Sequence, residues 1–447
     1  MRRTQEGPHV TRRLALFATA LAIAATLAVS QSAIRASGQK TATEPQVIDD
    51  ATLHAKTGTI GGADVLPTTR TVPHWWGSML DPNHGVTYGY NMVGANPYSC
   101  SGADCSITIE ADITPVIVHV GGLTFDGNDV LAATLASPQF QLNDYVSTPF
   151  ATAGAANVPR GPGGLLSQND AGNGLQLEDA IMRAQFKKTG GSNYHLRLHP
   201  NVLPPVTIDV PANHGVLLQN ARAVVFADIN VVWWSSQIQN LLQSSDPTHL
   251  AIFLTDNVML YDGHDVLNCC IIGYHGTKAA GGGGGNAGSN GNAKVQTFAW
   301  ASYTSPGVFA RPNGGTNWAL QDIHALSHEI AEWADDPFVN NLVEPWLTPT
   351  APQYGCTGVL ETGDPVVAIG FAMGTNSFRQ GPNPNGTLSA DGFYHPEDEV
   401  LLPWFMRTSP NTVSEPTQLP STNIGRYTFM GDLNPFPGFR QPATGCN

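Results

Sequence analysis

Basic side chains are scarce: 21 Lys and Arg stand against 35 Asp and Glu, a formal charge of −14. No basic run follows the N-terminal region, which excludes the clustered cations that a phosphate backbone demands, so no nucleic-acid partner is expected. Long apolar runs are equally few. The run from Leu14 to Val29 carries no charge and follows Arg2, Arg3, Arg12 and Arg13. At 16 residues it falls short of the roughly 20 that a bilayer span needs. With Ala28-Val29-Ser30 as a small-residue cleavage site, residues 1–30 read as a signal peptide, leaving no stable membrane span after cleavage. Its loss removes four Arg and one Glu and takes the charge from −14 to −17. The expected location is therefore secreted, extracellular or periplasmic, where acidity serves solubility.

Other absences narrow the chemistry. There is no Gly-x-Ser-x-Gly elbow for a serine hydrolase. The glycine tract at 279–293 is followed by no Lys-Ser or Lys-Thr, which excludes a P-loop. No CxxC pair suggests a thiolate zinc ribbon. The six cysteines are an even number and, in an exported chain, suit disulfides. Cys100 and Cys105 close a small loop. Vicinal Cys269 and Cys270 rarely bridge each other, so Cys356 and Cys446 are expected to reach one of them each, or each other.

With 447 residues the chain exceeds the size at which one core stops growing, and two lobes are expected after the leader. Residues 31–72 are polar and poor in aromatics, a linker or pro-segment. Residues 73–300 read as a β-rich N-terminal lobe, and 301–447 as a second lobe made of one helix and a loop-rich C-terminal part. The 47 glycines and 33 prolines fit a loop-rich globular protein. Strands are predicted at Ile113–Val120, Tyr194–His199, Val206–Val210, Ala223–Ala227, Ala251–Leu254 and Lys294–Ser302. A helix is predicted over Gln176–Lys188, and Val231–Gln243 reads as a strand start with a helical tail. The fold class is α/β (α+β), a mixed sheet packed on one polar helix.

That helix, Gln321 to Ala334, holds His328-Glu329-Ile330-Ala331-Glu332. Positions i and i+4 share a helix face, so His328 and Glu332 point together while Glu329 projects from the adjacent edge. In HExxH sites two histidines bind zinc and the glutamate acts on water. Glu332 replaces the second histidine by an oxygen donor that Zn2+ accepts at similar distance, at a cost in Lewis acidity. His324 lies on the same face, yet three residues over roughly 12 Å of helix cannot share one ion with bonds near 2 Å. His328 with Glu332 is the expected pair, because it places Glu329 between the ligands. Downstream, Gly358–Asp364 (GVLETGD) offers Glu361 as third ligand and Asp364 as a supporting or fourth one. The run Tyr394-His395-Pro396-Glu397-Asp398-Glu399 offers Tyr394 or His395 as an oxyanion donor, or else is an acidic surface loop. Asp335 and Asp336 oppose the helix macrodipole, which a cation or hydrogen bonds from the next loop would compensate, or else they form a plain solvated turn. His119, His195, His199, His264 and His275 lack the spacing of a second metal cluster. Trp75, Trp76, Trp233 and Trp234 suit either a core or a sugar platform.

The segment LSHEIAEWADDPFVNN (Leu326–Asn341), followed by LETGD, resembles the HE-x-A-E…DP and E-x-GD pattern of secreted bacterial zincin-like metallopeptidases. That resemblance implies zinc, a peptide or protein substrate, and Glu329 as the catalytic base. The stretch FLTDNVMLYDGHDVLNCCIIGYHG (Phe253–Gly276), with Cys270 and His275, and the DPFVNN after the helix resemble the EXORDIUM or phosphate-induced family of plant extracellular proteins. This second resemblance implies an extracellular protein without catalysis.

Overall fold

Where a sheet is covered on both faces, its strands lose the polar alternation of a half-exposed strand and become continuously apolar. Two segments are buried in that way, Leu250–Asp256 with an apolar run and Lys294–Tyr303 with Gln and Thr among its apolar residues. In a computed structural model of the chain, Leu250–Asp256 and Lys294–Tyr303 are adjacent parallel strands at the middle of a seven-stranded sheet, buried at nearly every position. The structure describes residues 40–41, 69–100, 104–143, 175–186, 194–280, 294–309, 320–349, 356–367, 369–378, 392–408, 427–429 and 446. The leader, most of the 31–72 segment and the glycine tract from 281 lie outside them.

In chain order the strands are β1 (Lys40–Thr41), β2 (His74–Asp81), β3 (Val86–Val93), β4 (Ile107–Val120) and β5 (Leu123–Asp126). After helices α1 (Asn128–Leu135) and α2 (Leu177–Gln185) come β6 (Leu196–Val202), β7 (Val206–Asp209), β8 (Gly215–Gln219) and β9 (Val225–Asn230). Helix α3 (Val231–Leu241) leads to β10 (Leu250–Asp256), β11 (Val258–Tyr261), β12 (Cys269–Ile271), β13 (Gly273–Ala280) and β14 (Lys294–Tyr303). Helix α4 (His324–Asp335), the pair β15 (Leu342–Leu347) and β16 (Cys356–Val359), and α5 (Leu402–Phe405) complete the described elements. The fold is a mixed α+β one, as expected, and no described helix is long and apolar enough to cross a membrane.

The large sheet runs β13-β14-β10-β4-β5, with β6 and β7 also paired to the long β4. Its centre is parallel, and β13 returns antiparallel along β14, so Gly273 faces Ala301 and His275 faces Ala299. Side chains one apart point to opposite faces. On β14, Phe298 and Trp300 pack with Trp234 and Ile238 of α3 and with the second sheet, β1-β8-β9-β11-β12. Ala299 and Ala301 pack in the other cluster, with Leu326, Ile330 and Trp333 of α4. Small residues on that face let α4 lie close over β13 and β14, where Trp333 is wholly buried and its Nε1 donates to Thr297 Oγ1 at 2.9 Å. Truncating a tryptophan so placed costs about 3–5 kcal/mol.

Three readings change. Val231 opens a helix at once, because Asn230 caps it by accepting from Trp233 N at 3.1 Å, so no strand starts there. The disulfides are Cys100–Cys105, Cys269–Cys270 and Cys356–Cys446, so the vicinal pair does close on itself. Trp75 and Trp234 belong to the core, while Trp76 is exposed and Trp233 stacks on His214, so the four do not share one surface.

Candidate metal centre

Helix α4 is polar by sequence yet every one of its residues is buried. Ionised carboxylates taken from water cost several kcal/mol each unless a cation or hydrogen bonds replace the water. At the helix end hydrogen bonds serve. Asp336 accepts from the backbone N–H of Asn340 and Asn341, both at 3.0 Å, and Asp335 accepts from Gln185 Nε2 at 2.6 Å. Burial still pushes the Asp335 carboxyl up to about 7, against the Gln185 hydrogen bond that lowers it.

In mid-helix the partners are other carboxylates and two imidazoles. His328 Nδ1 lies 2.6 Å from Glu397 Oε2, which turns Nε2 toward Glu332 Oε2 at 3.0 Å, Asp364 Oδ1 at 3.7 Å and Glu329 Oε1 at 4.0 Å. Glu332 is fixed from its other side: Oε1 accepts from the N–H groups of Gly363 at 3.0 Å and Asp364 at 3.3 Å, which aims Oε2 inward. That oxygen is buried and accepts no hydrogen bond. Four-coordinate zinc with bonds near 2 Å holds its ligand atoms about 3.3 Å apart, so His328, Glu332 and Asp364 fit such an ion with small adjustment. A carboxylate on the far nitrogen of the imidazole is the usual support of a histidine ligand.

The described residues divide the expected ligands into two groups. His328, Glu332 and Asp364 form one, and His275, Glu332 and Glu361 form the other, each with its ligand atoms within 4.8 Å of one another. Asp364 thus stands beside His328, and Glu361 beside His275. Spacing alone hid His275, which was set aside for lack of a nearby partner in sequence. It projects from β13 on the face that α4 covers, with Nδ1 3.6 Å from Glu332 Oε2 and 3.7 Å from Glu329 Oε2. The one available signal was its place in the Phe253–Gly276 stretch.

Two glycines make room. A Cβ on Gly273 would strike Glu329 Oε1, and one on Gly363 would strike His328 Nδ1. His324 sits next to the centre, its Nε2 3.3 Å from Glu397 Oε2. Residues 394–399 are not a surface loop: Tyr394, His395, Glu397, Asp398 and Glu399 are all buried. Burial pushes the Glu397 carboxyl up to about 8 although His328 pulls it down, and it pushes Glu399 well above the carboxylate range with Glu397 adding to the shift. The Tyr394 hydroxyl donates to Ala133 O at 2.7 Å, and His395 Nδ1 is 2.7 Å from Asp322 Oδ2, with Gln321 Nε2 3.4 Å from His395 Nε2. His395 belongs to neither of the two ligand groups. A third group is made by Asp81, which is buried, Glu344, which is half-buried, and His84, which is exposed. There Asp81 and His84 already bond each other at 2.8 Å, and Glu344 takes the Tyr88 hydroxyl at 2.7 Å.

Comparison with known proteins adds no relative: no family model, no curated protein and no solved structure matches the chain.

Proposed function

We propose that this chain is a secreted zinc-dependent hydrolase, a metallopeptidase acting on peptide or protein substrates. The observation that carries the reading is the His328 imidazole, held at Nδ1 by Glu397 and turned at Nε2 toward Glu332 and Asp364. A ring nitrogen 3.0 Å from one carboxylate oxygen and 3.7 Å from another converges with them on a place that a cation would fill. When bound, the zinc supplies Lewis acidity and lowers the pKa of water. His328, Glu332 and Asp364 would hold it, and Glu329 at the edge of that group would accept the proton from water and return it to the leaving amine. Glu397 holds the His328 ring in place at Nδ1.

Burial supports a second reading. Glu332, Glu361 and Asp364 have no exposed surface, which suits a closed site that only stabilises the fold. Glu329→Gln separates the two. The hydrolase reading expects a chelator-sensitive peptidase activity that this variant loses by at least about 100-fold while keeping its metal. Bound metal with no turnover on a broad peptide library, and unfolding on chelation, would leave the structural role. A folded protein with no metal would sink both.

A further inference from the structure

We infer that this centre holds two divalent transition cations bridged by Glu332, one on His328 and Asp364 and the other on His275 and Glu361. The inference rests on the metal-binding part of the reading above and goes beyond its single ion.

Three observations carry it. The first is the tautomer of His275. Its Nε2 lies 3.3 Å from the Asp336 carbonyl oxygen and 3.9 Å from Glu361 Oε2; the carbonyl can only accept, so a neutral ring there carries its proton on Nε2 and turns Nδ1 to Glu332 at 3.6 Å and Glu329 at 3.7 Å. His328 has the mirror arrangement, with Nδ1 engaged and Nε2 presented. Each histidine is therefore set up as a ligand, and they approach Glu332 Oε2 from different elements, β13 and α4. The second is that oxygen itself. It is the common member of both ligand groups, it is buried, and it accepts no hydrogen bond, because Oε1 takes both backbone amides. A single carboxylate oxygen facing two imidazole nitrogens is placed as a bridge. The third is the supply of donors. Glu329, Glu332, Glu361 and Asp364 bring four carboxyl groups, up to eight oxygen donors, into a space with at most 3% exposure of any of their side chains. One four-coordinate ion takes only part of that donor set, and two ions use it all. Four carboxylates with two imidazoles is also the donor set of the carboxylate-bridged di-metal centres built in helical bundles. Glu329 spans the pair, Oε1 toward His328 and Oε2 toward His275, within reach of both ions.

The test uses the full chain, stripped of metal and reloaded with Zn2+ or with Mn2+. Two equivalents are expected in the wild type, one in His275→Ala and one in Asp364→Asn. Loss of the second equivalent in His275→Ala distinguishes it from an ion taken up at Asp81, His84 and Glu344. In the wild type, Mn2+ at two equivalents should give the electron paramagnetic resonance spectrum of an exchange-coupled pair, a reading that does not depend on a variant folding. One equivalent in the wild type, unchanged in His275→Ala, would overturn the pair and leave the single-ion reading standing. Two equivalents with uncoupled Mn2+ spectra would overturn the bridge. No metal at all would overturn both readings together.

Discussion

Glu397 Oε2 lies 2.6 Å from His328 Nδ1, across 69 residues of sequence, and both groups are buried. The contact fixes which nitrogen of His328 faces the carboxylates of α4 and the 361–364 turn. Glu397 is itself held, since its backbone N–H donates to Ser327 Oγ at 2.9 Å. Glu397 is thus a positioning residue. Glu397→Gln keeps a similar shape but replaces the carboxyl group that holds His328 Nδ1 at 2.6 Å. It is expected to weaken metal affinity about 10–100-fold, the usual effect of removing such a support. Competition with a chromophoric chelator reads this directly, and an unchanged affinity would remove Glu397 from the centre. Glu397→Asp, which keeps a carboxyl group, should recover part of the loss.

The two glycines give a steric prediction of the same geometry. Gly273→Ala pushes a methyl group into Glu329, and Gly363→Ala pushes one into His328 Nδ1. Overpacking of this kind costs about 1–3 kcal/mol. Each variant is expected to lower the denaturation midpoint accordingly and to lose metal at a stoichiometry below the wild type. By contrast, Gly122→Ala meets no atom within 4 Å, so any cost there comes from its backbone, with φ at +82°. Metal retention should therefore separate Gly122→Ala from the other two, and equal metal loss in all three would argue against a cradle.

Helix α4 and the placing of His328 and Glu332 together on one face were legible in the sequence, because helical periodicity puts side chains at fixed short spacings. Strands at Ala251–Leu254 and Lys294–Ser302 were legible too, while their parallel pairing as β10 and β14 and their burial on both faces were not. His275 was not legible. It joins the centre only because β13 returns along β14 and places alternate residues under α4, and nothing in local sequence encodes that return. Residues 394–399 were misleading in the opposite direction. A Tyr-His-Pro-Glu-Asp-Glu run has the composition of a surface loop, yet backbone bonds from Phe371 N to Pro396 O and from Val400 N to Thr362 O stitch it into the interior. The carboxylates there are buried by their partners, and the partners lie far away in sequence.

Asn341 ties the β2–β3 hairpin to the end of α4. Its Nδ2 donates to Asn91 O at 2.7 Å and to Asp335 O at 2.6 Å, and its Oδ1 accepts from Asn91 N at 2.8 Å. Asn341→Ala strands all three backbone groups. A buried group left unsatisfied costs about 1–3 kcal/mol, so a loss of at least about 2 kcal/mol is expected in chemical denaturation. Asn341→Asp should cost a similar amount, because the carboxylate replaces the donor that two carbonyl oxygens require. A loss below about 0.5 kcal/mol in both variants would show that the hairpin is held by its apolar side chains alone.

Asp228 on β9 has no exposed surface, and neither carboxylate oxygen accepts a hydrogen bond. Burial pushes its carboxyl well above the usual range, with no charged neighbour needed to explain the shift. The sign of the consequence follows from linkage. A carboxyl whose pKa is higher in the folded chain binds its proton more tightly there, so its contribution to stability is complete below the unfolded value of about 4 and declines as pH rises above it. Asp228→Asn keeps the shape and stays neutral at every pH. The variant should match the wild type in thermal midpoint near pH 4 and exceed it by a margin that widens from pH 5 to pH 8. Margins that stay constant across that range would mean that Asp228 ionises alike in the folded and unfolded chains, and a margin that narrows would mean that the folded chain favours the charged form.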